Sequence, residues 1–398
     1  MNILSLRTVR LGATVVAAGL LGAAAGCSSS SSNSSSSSSS SSASASASVS
    51  ASSTFNGFTA KQIVLGSTLK HTFQPQGGGA ARTERLSGPD DIEAVGGNLY
   101  VGFQNGVGSQ GEVSSSGNLD STLVEFTPSG SVVKQWDVTG KIDGMGADSA
   151  SGTVYLTVNE DSKSSLYTLS GGTITHYTYA TSPLPHQGGT DAVAVDQGKV
   201  LITASAPGTG GKAPASAPAV FAGTLNSGAD TATTASFFAG NATATAVNGS
   251  NAGKKVTLAL TDPDSSGMVP SSSPKFAGDY MLNSQGDLEL IFSDASGKNL
   301  QVLKISQSVD DTVWATSATG TLYATDSDAN AVDAVTGPFV PGTAYTAVTP
   351  CNANSAPSTC PGPGYPNNYF GTIDLTTGTV TKVAVFGVLD PKGMVFVP

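Results

Sequence analysis

Residues 88–103, GPDDIEAVGGNLYVGF, decide the fold. The stretch opens on Gly-Pro and two aspartates, runs through a short apolar segment and turns at Gly96-Gly97. It continues with Leu99, Val101 and Phe103 in alternation. Alternation at period two on either side of a glycine turn predicts a pair of antiparallel strands. Related stretches recur: KIDGMGADSASGTVYLTV at 141–158, GTDAVAVDQGKVLITA at 189–204, NATATAVNGSNAGKKVTLAL at 241–260 and VDDTVWATSATGTLYATD at 309–326. DPKGMVFVP at 390–398 matches the first strand only.

Four units are followed by a second strand pair, at 123–138, 166–179, 286–305 and 370–386. The runs are short, β-branched or aromatic, and separated by Gly, Asn, Asp and Ser. Each unit therefore reads as a four-stranded meander, which cannot bury both faces alone, whereas a ring of meanders can. Units start at Asp91, Asp143, Asp191, Thr245, Asp311 and Asp390, at spacings of 52, 48, 54, 66 and 79 residues. The pattern predicts an all-β, six-bladed β-propeller, with seven blades as the rival count and tandem sandwiches as the alternative architecture. The last unit holds a single strand. Residues 61–73 are expected to supply its outer strands, closing the ring with strands from both termini and leaving no open edge.

Composition narrows the function. The chain has 398 residues, 48 of them Gly, only 12% charged residues and a net charge of −10. So acidic a chain has no electrostatic footprint for nucleic acid. Low charge with abundant Ser, Thr and Gly argues against long solvated helices. Three Cys exclude a disulfide-dense scaffold.

The first 26 residues read as an address. Arg7 and Arg10 precede LGATVVAAGLLGAAAG at 11–26, too short to span a bilayer and right for a secretory signal. Ala24-Ala25-Gly26-Cys27 resembles a bacterial lipoprotein signal, which implies cleavage before Cys27 and lipidation of its thiol. Residues 28–53 are almost pure Ser and Ala, a flexible tether with a root-mean-square reach of about 28 Å. The expected organisation is a signal peptide at 1–26, a lipidated Cys27 with its tether at 27–53, and a propeller domain at 54–398. The expected location is extracytoplasmic, anchored to a bacterial membrane. Cys351 and Cys360 enclose a ten-residue segment, and an oxidising compartment favours their pairing.

The blade unit resembles NHL-repeat and gluconolactonase-like propellers, and TLYATDSDANAVDAVT at 321–336 looks like the second and third strands of such a blade. The resemblance implies a divalent metal in the central channel, held by Glu, Asn and Asp, polarising a lactone carbonyl. Here Ser87 stands where the Glu is expected, Asp310 and Asp311 where the Asn is, and Asp390 in the third place.

The aspartates at the unit starts, Asp90, Asp91, Asp143, Asp191, Asp311 and Asp390, are expected to meet at one rim of the channel. There they could draw in a cation or a polyol, or simply fix the turn through backbone N–H groups. His186, in PLPHQGG at 183–189, is the histidine expected near a channel mouth; His71 and His176 are expected on blade surfaces. Asp326, Asp328, Asn330 and Asp333 hint at calcium, but Ala331 and Gly337 stand where an EF-hand loop needs Gly and Glu. No G-x-S-x-G or H-E-x-x-H occurs. The expectation is a monomeric, non-catalytic binding or scaffold module for a protein or carbohydrate. It needs no cofactor beyond an optional divalent cation such as calcium; the alternative is a metal-dependent gluconolactonase-like hydrolase or lyase.

Overall fold

The computed structural model describes residues 53–55, 57–205, 216–350, 368–383, 385 and 387–398. The leader, Cys27, nearly all of the tether, and both Cys351 and Cys360 lie outside these residues. The described part is all β; its helical elements are two 3-10 turns, Gly66–Thr68 and Gly249–Asn251.

Five sheets follow one another along the chain, each running outward from one innermost strand. The first orders Pro89–Val95, Asn98–Phe103, Asp120–Phe126 and Val132–Thr139. The second orders Ile142–Asp148, Thr153–Val158, Ser165–Ser170 and Thr173–Tyr179. The third orders Thr190–Asp196, Lys199–Ala204, Pro218–Asn226 and Thr231–Ala239, and joins the second edge to edge through a short parallel pairing of Thr178 and Tyr179 with Thr231 and Ala232. The fourth runs from Pro263–Met268 through Tyr280–Ser284 and Glu289–Ser293 to Leu300–Lys304. The fifth contains Val309–Trp314, Ala344–Val348, Tyr369–Ile373 and Val380–Lys382.

A last sheet takes strands from both ends of the described chain. Pro391–Val397 is innermost, then Thr321–Asp326, Ala331–Thr336, Phe58–Leu65 and Ser53–Phe55. Each innermost strand packs against the next, and Pro391–Val397 returns to Pro89–Val95. The apolar core is divided accordingly. Ile142 and Leu123 meet between the first two sheets, and Val193 and Leu166 between the second and third. Leu282 and Leu201 meet next, then Trp314 and Phe292, then Met394 and Tyr345, then Ile92 and Tyr323. Each sheet buries both faces only against its neighbours, the propeller-type solution to the problem that one meander poses.

Three readings are corrected by this topology. The fourth unit does not start at Thr245. Thr243–Ala246 and Lys255–Thr257 lie at the outer edge of the fourth sheet, where the first pairs in parallel with Leu300–Lys304. The true inner strand, PDSSGM, carries almost no bulky apolar residue, because it lines a cavity and packs closely on its neighbours. Second, Val309–Trp314 and Thr321–Asp326 do not pair; the chain leaves the fifth sheet, lays two strands into the last, and returns. Alternation reports which face a side chain takes and not which strand it meets. Third, only the first part of 61–73 joins the last sheet, whereas Lys70–Phe73 forms a separate hairpin with Arg82–Arg85.

His71, on that hairpin, is buried rather than at a blade surface. It lies 3.0 Å from Glu84 Oε1 and 3.6 Å from Asp137 Oδ1. Burial alone would lower its pKa; the two carboxylates outweigh that and raise it.

Neighbouring sheets are also stitched by polar side chains at one repeated place. The second strand of each of four sheets sends a hydroxyl or amide to a backbone carbonyl of the next: Thr157 to Asp191, Thr203 to Asp264 (3.2 Å), Asn283 to Asp310 (3.0 Å) and Thr325 to Asp90. Thr157 Oγ1 also accepts from Gly144 N at 3.1 Å. Thr157→Val keeps the shape and strands these buried groups, so it is expected to destabilise by about 1–3 kcal/mol. Urea unfolding monitored by fluorescence measures this; a midpoint equal to the parent's would count against the stitch.

Candidate functional site

All six innermost strands share one irregularity. The ladder to the second strand shifts register between Pro89 and Ile92, Ile142 and Met145, Thr190 and Val193, Pro263 and Ser266, Val309 and Thr312, and Pro391 and Met394. A β-bulge leaves residues outside the regular pairing and re-aims their side chains. Aligned on that bulge, the second residue of each strand is Asp90, Asp143, Asp191, Asp264, Asp310 or Lys392. All six line one central cavity of about 420 Å3. Asp91, Glu93, Glu160, Asp311 and Lys141 complete its charged wall, so nine carboxyl groups face two lysines.

The third residues of the same strands are Asp91, Gly144, Ala192, Ser265, Asp311 and Gly393. Asp91 accepts from Ile92 N (2.7 Å) and from Met145 N of the next strand (2.6 Å). Asp311 does the same with Thr312 N (2.6 Å) and Met394 N (2.8 Å). Both oxygens of each carboxylate are thereby tied to backbone, Oδ1 within its own strand and Oδ2 across a sheet boundary. These two aspartates hold the ring together, while the second-position side chains face the cavity.

Cations are unevenly shared. Lys141 pairs with Asp143 Oδ1 at 2.7 Å and with Glu160, and Lys392 lies 3.2 Å from Asp310 Oδ1. Gln104 donates to Ile142 O (3.0 Å) and Asp143 (3.4 Å), and Gln285 to Asp310 (2.8 Å). Asp90 and Asp191 meet no such side-chain partner among the described residues.

Electrostatics follow. Burial, reinforced by Asp310 and Glu160 against the pull of Lys141 and Lys392, pushes Asp90 to about 7. Burial pushes Asp311 to about 7, and burial with the Asp311 carboxylate pushes Glu93 to about 8. Asp91, Asp191 and Asp264 are held well above the ordinary range, burial first and neighbouring carboxylates second, and burial holds Asp143 there against the pull of Lys141. Burial would lower both lysines; Asp143 and Glu160 beside Lys141, and Asp310 beside Lys392, reverse the sign and hold them charged.

Of the residues singled out in the sequence, Asp90, Asp91, Asp143, Asp191 and Asp311 line the cavity. Asp390 and His186 do not. Asp390 sits two residues before the second position that Lys392 occupies; it accepts from Ser327 and Asn368, and its own N–H reaches Asp326. His186 is 1% exposed, its Nε2 lies 2.7 Å from Gly189 O, and its ring packs near Phe221. Burial lowers its pKa, which suits a neutral packing residue. Asp264, Glu93, Glu160, Lys141 and Lys392 escaped the sequence reading. Pro263-Asp264 repeats Pro89-Asp90, and Pro391-Lys392 repeats the pair with the charge reversed, which is the signal that was present.

Asp326, part of the calcium-like spacing, accepts from the backbone N–H groups of Ala329 (2.9 Å), Leu389 (2.6 Å) and Asp390 (3.2 Å). It serves a turn. Of the residues that the gluconolactonase-like resemblance would place at a divalent site, Asp310 and Asp311 line the cavity. Ser87 and Asp390 are off the cavity, and both Asp311 oxygens are engaged by backbone. Among the described residues no three His, Cys, Asp or Glu side chains converge as a metal cage.

Fold and site define a propeller-type all-β protein with an acidic central cavity. No family model matches the chain, and no curated protein matches it. Among solved structures it is similar to a protein of unknown function from Bacteroides thetaiotaomicron VPI-5482, with TM-score 0.43 and 11% identity over 84% of this chain and 69% of that one. It is similar to virginiamycin B lyase from Staphylococcus aureus, with TM-score 0.37 and 10% identity over 81% and 76%. A luciferin-regenerating enzyme gives TM-score 0.34 and 11% identity over 72% and 92%. With TM-scores below 0.5, these likenesses leave the fold to rest on the sheet order above.

Proposed function

We propose that this chain is a six-bladed propeller that binds a small ligand, or a projecting group of a larger carbohydrate or protein, in its acidic central cavity without transforming it. Lipid on Cys27 would hold it outside the cytoplasm on the Ser/Ala tether. One observation carries the binding reading: the same bulge in every inner strand turns a charged side chain into one cavity, and two of those carboxylates, Asp90 and Asp191, have no side-chain hydrogen bond or ion pair among the described residues. The six-blade count is supported by the cycle of first strands, and closure by strands from both ends by the composition of the last sheet.

Lys141 is a poor candidate for a base or nucleophile, since Asp143 and Glu160 keep it protonated. The cavity thus offers acceptors, two fixed ammonium groups and protonated carboxyls, which suits hydrogen bonding to a ligand.

The test is melting of the full chain in EDTA and then with calcium, with lactone hydrolysis assayed in parallel. The binding reading expects no calcium-dependent hydrolysis and a midpoint that rises with a cavity ligand by mass action. Calcium-dependent turnover that Asp90→Asn and Asp191→Asn abolish would replace it with the hydrolase reading. For the anchor, mass spectrometry of the mature N-terminus is expected to show a diacyl or triacyl mass on Cys27. An unmodified Cys27 would remove the anchor and leave the cavity argument intact.

A further inference from the structure

The cavity wall is most densely charged at one level and carries its large apolar side chains at another, with Glu93 at a fifth position between them. The second positions of the inner strands carry the acids, and the sixth positions include Met268, Trp314 and Phe396, all lining the same cavity. Four residues along a strand separate the two levels by about 13 Å.

At the acidic level the protein's own cations are spent, Lys141 on Asp143 and Glu160 and Lys392 on Asp310. Asp90 and Asp191 line the cavity without a side-chain hydrogen bond or ion pair among the described residues, although the field of Lys141 reaches both and that of Lys392 reaches Asp90. Asp143, only 6% exposed, leaves Oδ2 without a hydrogen bond. At the apolar level Trp314, 5% exposed, has no partner for Nε1. Buried polar atoms are normally paired, and these two unpaired atoms belong to residues that line the cavity.

Carboxylates at one level of the cavity wall and apolar side chains at another suit a ligand that carries both a charge and an apolar body. We propose that the cavity takes an elongated organic ammonium ion, its cationic head between the Asp90 and Asp191 carboxylates and its apolar body against Met268, Trp314 and Phe396. This rests on the binding reading above and names its ligand class. The head would regain in the cavity the charge-assisted hydrogen bonds it gives up in water. The body would cover apolar surface and stack on the indole.

The experiment is calorimetric titration of the full chain at pH 8 with 4-phenylbutylamine, the neutral 4-phenylbutanol, calcium chloride and neutral monosaccharides. Expected are saturable one-to-one binding of the amine, at least tenfold weaker binding of the alcohol, and at least a tenfold loss in the Asp90→Asn, Asp191→Asn double variant. Asp191→Asn alone serves if the double variant folds poorly. Amine affinity is also expected to fall from pH 8 to pH 6, as Asp90 takes up its proton. Equal binding of amine and alcohol, or undiminished binding by the variant, overturns the proposal. Binding of a neutral sugar but not of the amine also overturns it while the binding reading stands; calcium-dependent lactone turnover with no ligand bound overturns both.

Discussion

Gly144→Val is expected to lower unfolding stability by about 3 kcal/mol or more. Gly144 is the third residue of an inner strand, and a Cβ there would meet Ala192 Cα and Asp191 O of the next sheet, each at 2.3 Å. Both are backbone atoms, so no rotamer change relieves the collision. The two sheets would have to part, opening the cluster that joins Leu166 and Val193 and pulling Thr157 from the Asp191 carbonyl. Gly152→Ala is the control. Gly152 has φ 70° with open space around it, so it bears a conformational cost of about 1–2 kcal/mol and no collision. Guanidinium unfolding of both variants, followed by tryptophan fluorescence, decides the matter. A Gly144→Val midpoint no lower than that of Gly152→Ala would mean the inner strands are not packed this closely.

That close approach explains what could and could not be read from the residues. Strands show themselves where one face is buried and the other is not, as in Leu99, Val101 and Phe103, so most of the ladders were visible. The inner strands obey another constraint. Between neighbours and cavity there is room for Gly, Ala, Ser and Asp, so PDSSGM resembles a loop by composition, while the Thr/Ala strand at the outer edge resembles a core strand. Partner choice was invisible for the same reason that faces were visible: Thr321–Asp326 and Ala344–Val348 carry equivalent patterns, and which of them meets Val309–Trp314 depends on contacts far along the chain.

The site was half legible. Paired aspartates at the unit starts pointed to the right rim, but adjacent residues do opposite jobs. Asp90 faces the cavity while Asp91 ties two backbones, a division set by a bulge that leaves no mark in composition. Lys392 broke the pattern by charge. Matching on Asp alone selected Asp390 instead, two residues away and off the cavity.

Stability is expected to fall by at least about 2 kcal/mol as pH rises from 5 to 8, opposite to the trend of a protein whose carboxylates are mostly salt-bridged. The cavity carboxyls are raised: Asp90 and Asp311 to about 7, Glu93 to about 8, with Asp143, Asp191 and Asp264 displaced the same way. An unfolded chain releases those protons near pH 4, whereas the folded chain keeps them to pH 7 or 8. The native state therefore binds more protons across this window, and unfolding becomes easier as pH rises through the folded values. His71 acts in the same direction, since its raised pKa gives stability below about pH 6.5 that is lost on deprotonation. His176 and His186, both lowered, oppose the trend below about pH 6.5 and limit the gain on the acid side. One pKa unit corresponds to about 1.4 kcal/mol; the partly exposed positions of several of these carboxyls reduce the sum well below the total of their shifts. The measurement is chemical unfolding at pH 5, 6, 7 and 8 for the parent and for the Asp90→Asn, Asp191→Asn double variant. The variant should be the more stable chain at pH 8 and should show a shallower slope. A parent whose stability rises steadily from pH 5 to 8, or a variant with the parent's slope, would mean that these carboxylates are already neutralised by cations of the protein itself, and the cavity would then have no charge left to offer a ligand.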